Sequence, residues 1–97
     1  MKRKKELHDD AVMICNLQVI PGVGISIAKD LINIGIYSVE DLKGKDPEQL
    51  YRQSNAYAGT VQDRCLLYVF RCAVYYAEET RHDPEMLKWW QWKNQEN

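Results

Sequence analysis

The stretch from Leu17 to Leu42, LQVIPGVGISIAKDLINIGIYSVEDL, constrains this chain more than any other. A Pro-Gly-x-Gly sequence lies between two segments whose apolar residues recur at helical spacing, so the chain must reverse sharply and restart as a helix. Pro21 presets its own φ and Gly22 accepts a positive one, which together favour a type II-like turn. Gly24 then opens a helix with no Cβ in the way. The first turn of any helix carries unpaired N–H groups at the positive end of its dipole, and a phosphate oxygen fits there. The segment reads as a helix-hairpin-helix.

The remaining chain is read from helix starts and stops, and no window shows the strict alternation of a half-buried strand. Asp9 or Asp10 caps a first helix that places Met13, Leu17 and Ile20 on one face. The second carries Ile27, Leu31 and Ile34 on a stripe widened by Ala28 and Ile32, and Gly35 closes it as a left-handed cap, with Ile36 folding back. Ser38-Val39-Glu40-Asp41 resembles a capping box and starts a short helix that Gly44 ends. Asp46-Pro47-Glu48 and Asp83-Pro84-Glu85 repeat one start signal, with Asp as cap and Pro in the first helical position. Between them, Thr60 to Thr80 reads as a long central helix, apolar on nearly all sides from Leu66 to Ala77.

These signals predict an all-α, compact domain of about five to six helices spanning residues 9–93, with a basic arm at 1–8 and a tail at 94–97. Ser54 to Gly59, SNAYAG, stands where a second, degenerate hairpin would complete a pseudo-symmetric pair. A 97-residue chain with 45% hydrophobic residues can bury one modest core without staples. Its three cysteines, Cys15, Cys65 and Cys72, form no disulfide framework. Cys65 and Cys72 stand roughly 10 Å apart along one helix, so they are expected, with Cys15, to be reduced core thiols. The N-terminus has no apolar signal segment, and the apolar run from Cys65 to Ala77 is shorter than the ~20 residues that cross a bilayer. A cytoplasmic protein without membrane contact is expected.

By this point the residues carry a resemblance. The hairpin segment, Asp46-Pro47-Glu48-Gln49-Leu50-Tyr51, QDRCLLYVFRCAVYYA from Gln62 to Ala77 and DPEMLKWWQWK from Asp83 to Lys93 resemble the bacterial pathogenicity-locus (Cdd-type) helix-hairpin-helix family, some members of which are labelled mitomycin-resistance proteins. The resemblance implies a helix-hairpin-helix fold and a link to DNA through that motif. Carried onto this sequence, it makes Gly22, Val23 and Gly24 the phosphate-facing turn, with Val23 plugging the gap between helices and Ser26 and Lys29 beside it. DNA-gripping versions of the hairpin often follow the second glycine with Lys or Arg, whereas Ile25, Ser26 and Ile27 stand here.

The implied function is non-sequence-specific DNA binding, as an accessory in DNA metabolism or repair. Lys2, Arg3, Lys4 and Lys5 form an arm that either tracks a phosphate backbone or is a solvated terminus, and Lys43, Lys45 and Arg52 are further candidate contacts. A net charge of −1 argues for a small footprint, because strong non-specific binding needs many bases. The alternative is a protein-interaction module that keeps the hairpin as scaffold and docks partners on Ile25 and the aromatic C-terminus. A homodimer would reconcile the two by placing two weak hairpins on one duplex. Trp89 and Trp92, at i and i+3, are expected to cap the core, and Trp90 largely exposed beside basic side chains, with Lys88 and Lys93 flanking the tryptophans, would reopen a base-stacking role.

Enzymatic readings find little support. His8-Asp9 and His82-Asp83 resemble a metal-dependent phosphohydrolase dipeptide, yet two histidines cannot supply that ligand set, and no CxxC or HExxH spacing is present. No catalytic residue, metal or cofactor is expected. Cys65 as a nucleophile would need a lowered thiol pKa and a nearby base.

Overall fold

The computed structural model describes residues 11–94, all of them helical, turn or irregular, with no strand. The first helix, α1, covers 11–17 of the described residues, and the helices α2 (Ile25–Asn33), α3 (Pro47–Ala58) and α4 (Cys65–Glu78) follow. Three 3₁₀ turns complete the order, Val39–Leu42 between α2 and α3, then Pro84–Leu87 and Trp89–Asn94 after α4. The capping positions of Asp9 and Asp10 lie outside the described residues.

Cap chemistry explains where most elements begin and end. Asp46 accepts the Glu48 N–H at 3.0 Å and Asp83 accepts the Glu85 N–H at 3.0 Å, so both Asp-Pro-Glu signals open helical structure. Gly35, at φ +91°, lets the Ile36 N–H return to the Leu31 carbonyl at 2.9 Å, and Ile36 is buried as expected. Ser38 makes no side-chain cap. The Asp41 carboxylate instead accepts the Tyr37 N–H at 2.9 Å, one residue further back than a capping box requires.

Helix α4 sits at the centre because its sequence is apolar on almost every face. Leu66, Leu67, Val69, Phe70, Cys72, Ala73, Val74 and Ala77 are buried along it, and it packs against α3 and against all three 3₁₀ turns. Leu17, Ile20, Ala28, Leu31, Ile36, Leu42 and Leu50 complete the core around Phe70. The one buried charge of α4, Arg71, is 7% exposed. It donates to the Trp92 carbonyl at 2.7 Å and to Glu48 at 3.2 Å, and its guanidinium lies 5.7 Å from the Tyr68 ring centroid. A buried cation demands such partners. Arg71 therefore joins the start of α3 to the C-terminal turn through the central helix.

Three expectations need correction. The described residues hold four α-helices rather than five to six, because the segments after Ser38 and after Asp83 wind as short 3₁₀ turns. The second hairpin has no turn to rest on: Ser54 to Ala58 is the last stretch of α3, and Gly59, at φ +76°, is its cap. The central helix starts at Cys65, not Thr60, because the main chain at Gln62 is tied to α3. The Gln62 N–H donates to Asn55 Oδ1 at 2.9 Å, the Tyr51 hydroxyl donates to the Gln62 carbonyl, and the Gln62 amide reaches Ser54 Oγ at 2.9 Å and Asn55 Oδ1 at 3.1 Å. A chain so held cannot also be helical.

Candidate functional site

The turn between α1 and α2 is built from both ends. The Ile20 N–H donates to the Leu17 carbonyl at 3.1 Å, and the Val23 N–H donates to the Ile20 carbonyl at 3.1 Å, closing the reversal around Pro21 and Gly22. Gly22 takes φ +88°, a conformation that disfavours side chains. Val23 is 5% exposed and plugs the space beneath the turn, as the sequence implies. Its amide is spent inside the turn. The Val23 backbone therefore drops out of the expected phosphate contacts, and those that remain lie on either side of it.

Gly24 differs from every other glycine in the chain. Gly22, Gly35, Gly44 and Gly59 all have positive φ, which accounts for their lack of a side chain. Gly24 has φ −93° and ψ −170°, ordinary extended backbone open to any residue, and a Cβ built there meets nothing within 4 Å. It occupies the N-cap of α2, where Ser, Asp or Asn is favoured by about 1 kcal/mol over Ala. No side chain caps that helix. The Gly24 carbonyl accepts the Ala28 N–H at 2.9 Å, but nothing in the fold requires a glycine here.

Ser26 and Lys29 are exposed at i and i+3 spacing on α2, so they share the face next to this bare helix start. Lys29 makes no ion pair with any described residue. Asp30, which follows it, is partly buried, and desolvation raises its carboxyl pKa above the ordinary value of 3.8. Ile25 is 56% exposed and Val19 57%, apolar residues that flank the turn.

One contact was not legible in the sequence. Trp89, half-buried on the C-terminal 3₁₀ turn, stands behind Gly22, its Cδ1 3.1 Å from the position of a built Cβ. The two residues are far apart in the chain, and only the tertiary fold brings them together. Trp90 is 53% exposed beside it, the rings 5.8 Å apart and nearly perpendicular. Trp92 packs as expected, its ring 5.5 Å from Tyr75 and its Nε1–H donating to the Met86 carbonyl at 2.8 Å.

The auxiliary bases divide. Lys2, Arg3, Lys4 and Lys5 lie outside the described residues. Lys43 and Lys45 are exposed in the connector before α3, where Lys43 pairs with Glu40 at 3.1 Å. That connector is fastened to the last turn of α4 by the Gly44 N–H, which donates to Glu78 at 2.9 Å. Arg52 faces Glu48 at 3.9 Å, and Lys88 pairs with Glu85 at 3.0 Å.

The expected core burial of all three thiols is corrected as well. Cys72 is buried, and desolvation pushes its pKa up to about 11. Cys15 and Cys65 are exposed. Asp63, just ahead of α4, accepts the Cys65 N–H at 2.8 Å, and its carboxylate raises the Cys65 thiol pKa. That is the opposite of what a nucleophilic cysteine requires. His82 stacks on Tyr76 with centroids 4.5 Å apart, its Nε2 2.9 Å from the Tyr76 carbonyl, and Asp83 serves as a cap. Among the described residues no cluster of His, Cys, Asp or Glu is placed to hold a metal ion, and no helix is long and apolar enough to cross a membrane.

An all-α chain with this turn and an LYVFR-to-KWWQWK central and C-terminal pairing fits one class of protein. The family model described as Pathogenicity locus (Cdd1) matches residues 10–97, and the chain belongs to that family. It is similar to the mitomycin resistance protein McrB of Streptomyces lavendulae, with 35% identity over 75 residues, covering 77% of this chain and 68% of that protein. No solved structure matches the chain.

Proposed function

We propose that this chain is a helix-hairpin-helix protein that binds the nucleic-acid backbone without sequence choice, as an accessory in DNA metabolism or repair. The observation that carries this reading is Gly24. A glycine that neither φ nor internal packing demands, at a helix start with no side-chain cap, leaves the main chain open to close approach from outside. The exposed Gly22, Ser26 and Lys29 border it. A phosphate oxygen at this position would accept from first-turn amides, with the Ser26 hydroxyl and Lys29 ammonium beside it. Phosphate contacts position a protein on DNA and carry no sequence information.

The test is a salt titration of binding to arbitrary duplexes. A slope of about −0.9 in log affinity per log salt for each phosphate neutralised, shallow because the contacts are few, supports the reading. Binding that ignores salt, or none at low salt, removes it.

Val19 and Ile25, exposed at the two ends of the turn, favour a second reading. There the hairpin is a scaffold that presents an apolar surface to a protein partner. Replacing Ile25 by Ser would then abolish partner binding and leave DNA affinity at the level of any neutral protein.

A further inference from the structure

Trp90 is the largest exposed ring near the turn, and its surroundings point to a ligand form. We infer that Trp90 stacks an unpaired base and that the turn and this indole together take single-stranded DNA in preference to duplex, an inference that rests on the phosphate-gripping reading of the turn. Trp89 backs Gly22, with Cδ1 3.1 Å from a built Cβ, and Trp90 stands 5.8 Å from Trp89, centroid to centroid, at 87°. The exposed indole is thus one ring away from the turn. In a nucleotide only the sugar separates base from phosphate, so a strand that runs from the turn past Trp89 brings a base onto that ring.

An edge-on contact engages at most one face of an indole, and at 53% exposure a face of Trp90 stays available to a flat ligand. Trp89 meanwhile limits the freedom of Trp90, so less is lost when a base settles on it. Charge favours the same ligand. Lys43, Arg52 and Lys88 each face a glutamate, at 3.1, 3.9 and 3.0 Å, and a net charge of −1 gives the chain no broad grip on a duplex. Stacking on an aromatic ring needs no net charge and tolerates any base. Duplex bases are already stacked and must be extracted before a side chain can use them.

The experiment compares fluorescence anisotropy of labelled oligo-dT and of a blunt duplex of equal length, each about 16 nucleotides long, at about 50 and about 200 mM salt. The full chain is measured beside Trp90→Ala, Trp90→Phe and Gly24→Asp, with thermal melts checking the fold of each. The expected result is tighter binding of oligo-dT than of duplex, a loss of about ten-fold in oligo-dT affinity for Trp90→Ala, and recovery of most of it by Trp90→Phe, which keeps a ring. Equal loss on both ligands for Trp90→Ala, no loss, or a preference for duplex overturns the stacking role while Gly24→Asp still tests the turn. If Gly24→Asp leaves both ligands bound as before, or neither ligand binds at low salt, the phosphate-gripping reading fails and this inference goes with it.

Discussion

Two of the glycine-bearing turns in this molecule, at 21–24 and 59–64, are finished in opposite ways. The turn at 59–64 is closed by its own side chains. Asn55, Ser54, Tyr51 and Gln62 satisfy one another and the main chain, so that among the described residues no buried side-chain polar atom is left unpartnered. The turn at 21–24 is packed from beneath by Val23 and from behind by Trp89, yet its far edge is bare from Gly24 into α2. A loop whose polar groups are consumed internally serves the fold. One that leaves a helix start uncapped forgoes that stability, and the proposed phosphate contact would use the amides it leaves open.

This contrast can be broken from either side. The largest effect is expected at the closed turn, where Asn55→Ala removes the acceptor of two hydrogen bonds and should cost about 2 kcal/mol in urea unfolding. Nucleic-acid affinity should not change. At the open turn Gly24→Asp should do the reverse, weakening duplex and single-strand binding about ten-fold, or about 1.4 kcal/mol, by setting a carboxylate against phosphate. Its unfolding midpoint should hold or rise slightly, since Asp is a better N-cap than Gly. A Gly24→Asp protein that binds normally would end the comparison.

A smaller effect is expected just ahead of α4. Asp63→Ala should lower the unfolding midpoint slightly by removing the acceptor of the Cys65 N–H. The Asp63 carboxyl pKa is lowered, chiefly by that amide and then by the Cys65 thiol, and that of Glu85 is lowered by Lys88 and Gln91. Both groups stabilise the fold above their ordinary values of 3.8 and 4.5, and the contribution is lost as pH falls through the lower folded values. Asp30 is raised by desolvation and acts with the opposite sign, opposing folding once ionised. Unfolding of Asp63→Ala should therefore depend less on pH below about 4 than that of the parent. In iodoacetamide labelling at neutral pH, Cys15 should react first and Cys72 last, and Cys65 should speed up when Asp63 is gone. The smallest effect is Gly24→Ser, a gain of a few tenths of a kcal/mol, read as a shift of the melting temperature.

What the sequence reveals and what it hides divide along the same physical line. The Asp-Pro-Glu starts, the Gly35 cap and the buried face of Leu17 and Leu31 are legible because their causes lie within a few residues of one another. The SNAYAG segment misleads because Asn55 and Ser54 look like turn residues, while their side chains serve Gln62, which lies beyond the helix end. The C-terminal segment reads as one α-helix from its Asp-Pro-Glu start. In the fold the Met86 carbonyl accepts from Trp92 at 2.8 Å and from Cys72 at 3.5 Å, and Arg71 takes the Trp92 carbonyl. Those partners draw the segment into two short 3₁₀ turns. The candidate site was half visible: Gly22, Gly24, Ser26 and Lys29 are proposed from local pattern, whereas Trp89 behind Gly22 is a tertiary fact with no local signal.

The guanidinium of Arg71 has a mechanical consequence. Since it clasps Glu48 on one side and the Trp92 carbonyl on the other, the aromatic segment that braces Gly22 is tied to the start of α3 through this side chain. Replacing Arg71 by Met would remove that tie and leave the Trp92 bond to Met86 and its ring contact with Tyr75, so a residue remote in sequence from Gly22 contributes to how firmly the loop is held.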